Sequence, residues 1–399
     1  MHFRHVLQRV RVSDTSMLVV SLSFLLIYSL CLSIYLPFRY ASEFGTTGSA
    51  SFESMSGTLS KHHWGMRGGM AADTCDGDEP GQIKCVGQHT CTGDNPMTQR
   101  NYACDGPIRL FFGNHTTVDL GATGAAAFKG QTYQCQLVQA FVLKQVYEAR
   151  RAQNAFGHLV WMLNEIWPTV GWGSLEYGPP PGYTPGQVRG GRWKPLHYFY
   201  KRSLMADVMA TCGDAGLCYI SNHRASRAFK GTVTFTTYDH FGNGKGTVLL
   251  HKSVALPEGP GAIEWFEQVL PSGNDTAVVS TVRDETGAVL SEHMVQLVTP
   301  AHIRVPVAKV TFTVADKPNA DGTVDIAVTS DKVALWVTLT TMAQGRFSDN
   351  AFFLPATTAT VRFVPFSVST AAEDVAVLKA TLRVEDLSMY RAMGPAMGA

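Results

Sequence analysis

The sequence predicts a multidomain fold, α/β in its first half and all-β in its second, preceded by an N-terminal hydrophobic helix. Three observations predict it. A run from Met17 to Leu36 carries no charged side chain, residues 37–212 mix helical and strand periodicities, and from about Gly216 the pattern turns to alternating strands broken by turns. At 399 residues, 45% hydrophobic and 16% charged, the chain has room for two or three domains with buried cores. Lys plus Arg (33) nearly cancel Asp plus Glu (32), so no basic field exists to attract nucleic acid.

The apolar run follows Arg4, Arg9 and Arg11. At 1.5 Å rise per residue its length matches a bilayer core of roughly 30 Å, and the arginines favour a cytoplasmic N-terminus. Residues 17–36 therefore read as a signal anchor with the membrane as partner. A cleaved signal peptide is the alternative, because small residues such as Ala41 and Ser42 follow.

Within residues 37–212, Tyr133 to Gln153 has helical spacing, with Val138, Phe141, Val142 and Ala149 on one face and Lys144 and Arg151 on another. Gly157 to Leu163 is a short apolar run of the kind a buried parallel strand shows. The stretch 65–113 is rich in Gly, Asp, Thr and Cys, a loop composition, and holds Cys75, Cys85, Cys91 and Cys104. With Cys135 these make an odd number, so at least one is left over or pairs elsewhere; Cys212 and Cys218 bracket a loop that a disulfide can close. Eight cysteines without a C-x-x-C pair argue for disulfides and against a zinc ribbon. Sequons at Asn114 and Asn274 point to the same oxidising compartment. His62, His63 and His197 lack ligand-like spacing, so no metal or other cofactor is expected. Pro179 to Gly186 form an extended surface insert, since proline fixes φ and removes donors.

The second half offers two sets of strands. Gly231–Tyr238, Gly246–Val254, Ala262–Leu270, Ala277–Arg283 and His293–Val298 make a first β-sandwich over residues 213–302. Val307–Val314, Thr323–Val328, Val333–Thr340, Thr358–Val364 and Val375–Val384 make a second over residues 303–395.

Three strings carry a family resemblance. Arg39-Tyr40-Ala41-Ser42-Glu43-Phe44-Gly45 resembles the R-F-A-S-E-Y-G segment of β-mannosidases in glycoside hydrolase family 2. Trp161-Met162-Leu163-Asn164-Glu165-Ile166-Trp167, continued by Ser174 to Gly178 and Gly191 to Phe199, resembles their W-Q-L-N-D-x-W and S-L-E-Y-G-G-x-W-K-x-L-H-Y-F run. Gly345 to Phe353 resembles the G-R-F-S-D-N-x-F string of their C-terminal immunoglobulin-like domain. The resemblance runs from Arg39 to about Arg391 and implies that Tyr40–Phe44 and Leu159–Leu163 are the seventh and eighth strands of a (β/α)8 barrel. A closed barrel takes about 250 residues, so residues 37–212 are expected to form only its C-terminal portion. Residues 1–36 are then an anchor or non-family sequence.

Retaining glycosidases use two carboxyl groups about 5 Å apart, one attacking the anomeric carbon and one protonating the leaving group. The resemblance implies that Glu43 is the nucleophile, that Trp161 floors the subsite for a terminal mannose, and that Asn164 bonds a hydroxyl or braces its strand end. The family's acid/base glutamate follows an asparagine on an earlier barrel strand. Asn164-Glu165 aligns instead with the N-D of the eighth strand, so no acid/base residue is assigned in this chain. The implied activity is removal of terminal β-linked mannose from oligosaccharides in the lysosomal or secretory lumen, by a chain that reads as truncated. Two alternatives stay open: an exo-β-glucosaminidase of the same family, and a non-catalytic, membrane-tethered sandwich protein with a relic site.

Overall fold

The computed structural model describes residues 40–69, 95–100, 104–113, 117–155, 157–178, 189–213, 216–239, 241, 244–259, 261–368 and 371–390. The expected apolar helix at 17–36, Cys75, Cys85 and Cys91, and the proline-rich insert lie outside the described residues. No helix among the described residues is long and apolar enough to cross a membrane.

The first part is mixed α/β. Strand β1 (Tyr40–Phe44) is followed by β2 (Gly48–Ser49), α1 (Phe52–Ser56), α2 (Met97–Arg100), α3 (Asp105–Phe112) and the long α4 (Ala125–Ala152). The chain then returns as β3 (Gly157–Val160), parallel to β1 with Tyr40 opposite Gly157 and Ala41 opposite His158. Parallel neighbours need a crossover, and α4 lies within it. Beyond β3 come β4 (Val170–Gly171), paired with β2, then the antiparallel β5 (Leu175–Gly178) and β6 (Arg189–Trp193). Helix α5 (Pro195–Phe199) has proline at its first turn, where the missing N–H costs nothing, and runs on into a π-helical turn, Tyr200–Leu204.

Helix α4 begins earlier than its spacing predicted and is enclosed on more than one side. The expected polar face is buried: Lys144 is 4% exposed and Arg151 3%. Buried charges need partners, and both have them. Lys144 pairs with Glu148 one turn later at 2.6 Å, and Arg151 donates to the carbonyls of Ser203 (2.6 Å) and Ala206 (2.8 Å), fastening the helix to the chain that enters the first sandwich. Gly130 allows the Tyr390 ring to approach, since a Cβ there would stand 2.8 Å from it.

The first sandwich starts before position 213. Strands β7 (Val208–Cys212) and β8 (Leu217–Asn222) form a hairpin closed by the Cys212–Cys218 disulfide and make a three-stranded sheet with β11 (Ala262–Glu267). The facing sheet runs β10-β9-β12-β13, comprising β9 (Phe229–Asp239), β10 (Thr247–Leu256), β12 (Thr276–Asp284) and β13 (Val289–Val295). Alternate residues Val233, Phe235, Val278 and Val282 point between the sheets and are buried with Ile220.

The second sandwich sets β14-β15-β19-β17 against β18-β16-β20, these being β14 (Val310–Val314), β15 (Val324–Ser330), β16 (Ala334–Thr340), β17 (Gly345–Phe347), β18 (Phe352–Leu354), β19 (Thr358–Pro365) and β20 (Arg383–Glu385). Its core gathers Ile326, Val337, Leu339, Phe363 and Leu378. The strand expected at 375–384 is instead helix α6 (Ala371–Thr381) followed by β20. Glu373 and Asp374 occupy its first turn, where carboxylates favour the helix dipole, while the β-branched Val375 and Val377 had suggested a strand. The Gly345–Phe353 string has a structural reason. Buried Asn350 accepts from the Leu339 N–H (2.7 Å) and donates to the Leu339 carbonyl (2.8 Å), standing in for a strand partner.

The second sandwich is bound to the α/β part by polar ties. Arg192 donates to the Thr341 carbonyl (2.8 Å), Tyr133 Oη to the Trp336 carbonyl (3.1 Å), and Arg383 pairs with Glu53 (3.0 Å).

Candidate active site

Glu43 is the penultimate residue of β1, and Trp161 follows the last residue of β3. Because the strands are parallel neighbours with Phe44 opposite Val160, both residues lie at the same, C-terminal end of the pair. The Trp161 N–H donates to the Phe44 carbonyl at 2.7 Å, so the ladder continues to the point where the two residues diverge. Gly45 makes this approach possible: a Cβ would sit 1.9 Å from the Trp161 carbonyl oxygen. The Trp161–Met162 peptide bond is cis. Glu43 is exposed and Trp161 is 49% exposed.

Asn164 forms a bridge with Leu175, and its Nδ2 donates to the Glu165 carbonyl at 2.8 Å. Of the two roles implied for it, bracing of the chain is therefore the one with a described contact. The apolar run expected as a strand to Leu163 ends at Val160; beyond it, Leu163 accepts backbone hydrogen bonds from Ser174 (3.0 Å) and Leu175 (3.1 Å).

A buried ion pair lies beneath these residues. Glu165 and Lys194 have side chains 1% and 0% exposed and form a charge-assisted hydrogen bond. Glu165 Oε1 also accepts from the Gly173 N–H (3.0 Å), and Lys194 Nζ donates to the Gly48 carbonyl (2.8 Å). The pair thus joins the segment after β1 to the loop after β3. Burial raises the Glu165 carboxyl above its usual range while the Lys194 ammonium pulls it back. Gln139, on α4, adds a second support by donating to the carbonyls of Thr46 (3.0 Å) and Gly171 (3.3 Å).

Two further polar residues of the string, Glu176 and His197, are buried. Glu176 is buried and accepts from the Ser51 N–H at 2.5 Å. His197 contacts Ser174 Oγ through Nδ1 (2.9 Å) and packs on Trp193; burial, with Arg346 nearby, lowers it to about 4, so it is neutral near pH 7. His158, beside Phe44, is likewise lowered to about 4 by burial and by Arg150 and Arg151. Among the described residues no group of His, Cys, Asp and Glu is arranged to hold a metal ion. Sequence reasoning missed Lys194 and Gln139. The available signal was the lysine inside the otherwise aromatic Trp193 to Phe199 segment, where a lone charge needs a partner.

The fold is a mixed α/β part with a parallel strand pair, followed by two sandwiches. Residues 306–390 match the mannosidase Ig-fold domain. The β-mannosidase of Bos taurus is 24% identical over 354 residues, covering 84% of this chain and 36% of the bovine protein. The chain therefore spans about a third of the length of that relative. Among solved structures, the β-D-mannosidase from Dictyoglomus thermophilum is similar over 90% of this chain and 38% of its own, at TM-score 0.59 and 17% identity. The exo-chitosanase of Amycolatopsis orientalis is similar over 88% and 42%, at TM-score 0.53 and 15% identity. At such identities the structural likeness shows the fold. By motif, by domain match and by curated relatives, the resemblance is to β-mannosidases of glycoside hydrolase family 2.

Proposed function

We propose that this chain carries the nucleophile side of a retaining β-mannosidase site, with β1 and β3 as the last two strands of a (β/α)8 barrel. The observation that carries the reading is the juxtaposition of Glu43 and Trp161 at the C-terminal ends of adjacent parallel strands, the end where such barrels hold their chemistry. Glu43 attacks the anomeric carbon of a terminal β-mannoside, giving a covalent mannosyl-enzyme that water opens. Trp161 offers its exposed ring to the C–H face of the sugar. No residue of this chain is assigned as acid/base. Glu165, the sole candidate by its Asn-Glu context, is buried against Lys194 and is a brace. The Cys104–Cys135 and Cys212–Cys218 disulfides support a secretory or lysosomal lumen.

An aryl β-mannoside with a strongly acidic leaving group tests the reading, because departure then needs little proton assistance. Turnover by the chain, lost by roughly 10³-fold or more in Glu43→Gln, is the expected result. No turnover by the parent chain, or undiminished turnover by the variant, would favour a non-catalytic sandwich protein. An aryl β-glucosaminide turned over faster than the mannoside would favour the glucosaminidase alternative.

A further inference from the structure

The sequon Asn274-Asp275-Thr276 has no part in the candidate site and sits on the loop between β11 and β12. That loop is fixed at two points. Gly273, at φ +81°, packs so closely that a Cβ would stand 2.5 Å from that of Leu297, and the Asn274 carbonyl accepts from the Arg304 N–H at 2.5 Å. Both contacts are to the segment that leads from the first sandwich into the second. The other sequon, at Asn114, lies outside the described residues.

The asparagine and the threonine have opposite environments. Asn274 is half-buried, and its side-chain amide neither hydrogen-bonds within the protein nor is closed off from solvent. Thr276 is 7% exposed: it is the first residue of β12, lies opposite Asp239 of β9, and gives its hydroxyl to Asp275 at 3.3 Å. N-linked transfer needs both groups, the amide as nucleophile and the hydroxyl for recognition. In the folded chain a bulky substituent on Asn274 Nδ2 has an exit to water, whereas the threonine is largely covered by the ladder.

We infer that Asn274 carries an N-linked glycan, added to the nascent chain before β12 pairs with β9 and retained on the loop once it has. Asn274 Nδ2 displaces the diphosphate from C1 of a lipid-diphosphate-linked oligosaccharide. The C1–N bond forms, the C1–O bond breaks with its electron pair passing to the diphosphate, and the amide gives up one proton. The interval for this is set by synthesis. At about 5–20 residues per second, the stretch from Asn274 to the end of β13, the outer neighbour of β12, takes roughly 1–4 s. After that both edges of β12 have their partners. The inference shares with the proposed function the lumenal compartment alone, and rests on neither Glu43 nor glycosidase activity.

The test is expression of the full chain in a secretory eukaryotic cell, followed by enzymatic deglycosylation in heavy-oxygen water and mass spectrometry of the peptide that holds Asn274. Conversion of Asn274 to an isotope-labelled aspartate in most chains is expected. Occupancy should fall about tenfold or more in Thr276→Ala, which removes the recognised hydroxyl, and should stay at the parent level in Glu43→Gln. Because addition precedes folding, both variants are read whether or not they fold. Pulse labelling supplies the order of events: occupancy at the end of the pulse should equal that after the chase. Unmodified Asn274 in the parent chain would overturn the proposal, as would occupancy that survives Thr276→Ala or that rises after the chain has become protease-resistant. Turnover of the aryl mannoside by a chain unmodified at Asn274 would sink this inference and leave the proposed function standing; modification without turnover would do the reverse.

Discussion

Replacing Lys194 by Met removes the ammonium at the centre of the pair beneath the candidate site and leaves Glu165 with the Gly173 N–H as its described partner at that oxygen. Both side chains are almost wholly buried, so solvent cannot take the place of the lost charge. Breaking a buried pair by removing one member costs about 3–5 kcal/mol. In a large domain, at about 2 °C per kcal/mol, that is a fall in Tm of roughly 6–10 °C. The cost depends on pH in a definite direction. Glu165 is already raised above its usual range by burial, and loss of Lys194 raises it further. An acid whose folded pKa exceeds its unfolded value binds more protons when folded, so stability falls as pH rises between the two values and recovers below both. Lys194→Met should therefore be most damaging at pH 8 and least at pH 4.5. The double variant Lys194→Met, Glu165→Gln should lose less than the two single variants summed, because the unpaired charge is gone. Melting of the full chain followed by circular dichroism reads all of this. A Lys194→Met variant within a degree of the parent at pH 8, or one whose deficit grows on acidification, would refute the reasoning.

Three further outcomes are expected. Glu385, buried beside Arg383 and Tyr390, is raised to about 7 by burial, so it makes the protein less stable as pH climbs from 4.5 to 7, by up to about 3 kcal/mol; Glu385→Gln should flatten that part of the Tm-against-pH curve, and an unchanged slope would count against it. The Cys104–Cys135 bridge closes 31 residues and Cys212–Cys218 closes 6, so loop entropy predicts losses of about 3–4 and about 2 kcal/mol on their removal by Ser pairs, measurable by urea unfolding. Leu159, Leu163 and Ile166 expose 56%, 55% and 82% of their surface along one short stretch; Leu163→Ser with Ile166→Ser should reduce self-association in light scattering, with little effect on Tm.

The parts of the fold written in local patterns were legible in the sequence. Strand β1 was found at its observed limits because the string around Glu43 is family-like, and most sandwich strands were found because one buried face leaves a period of two. Helix α6 was misread, since two valines outweighed an acidic first turn. Helix α4 was located, with Lys144 and Arg151 placed on a face apart from its apolar one, but nothing local says that Arg151 will meet the carbonyls of Ser203 and Ala206. The candidate site divides in the same way. Glu43 and Trp161 stand out by motif, whereas the Lys194–Glu165 brace joins residues 29 positions apart and is visible only after folding.

The ties from the second sandwich to the α/β part reach Glu53, Tyr133 and Arg192, and Glu53 lies ten residues after Glu43. A stop codon anywhere after the first sandwich would leave every motif residue of the candidate site encoded, yet strip its outer buttress. Truncations within residues 303–390 should therefore behave as nulls through loss of folded protein, and a screen confined to residues near the carboxylate would miss them.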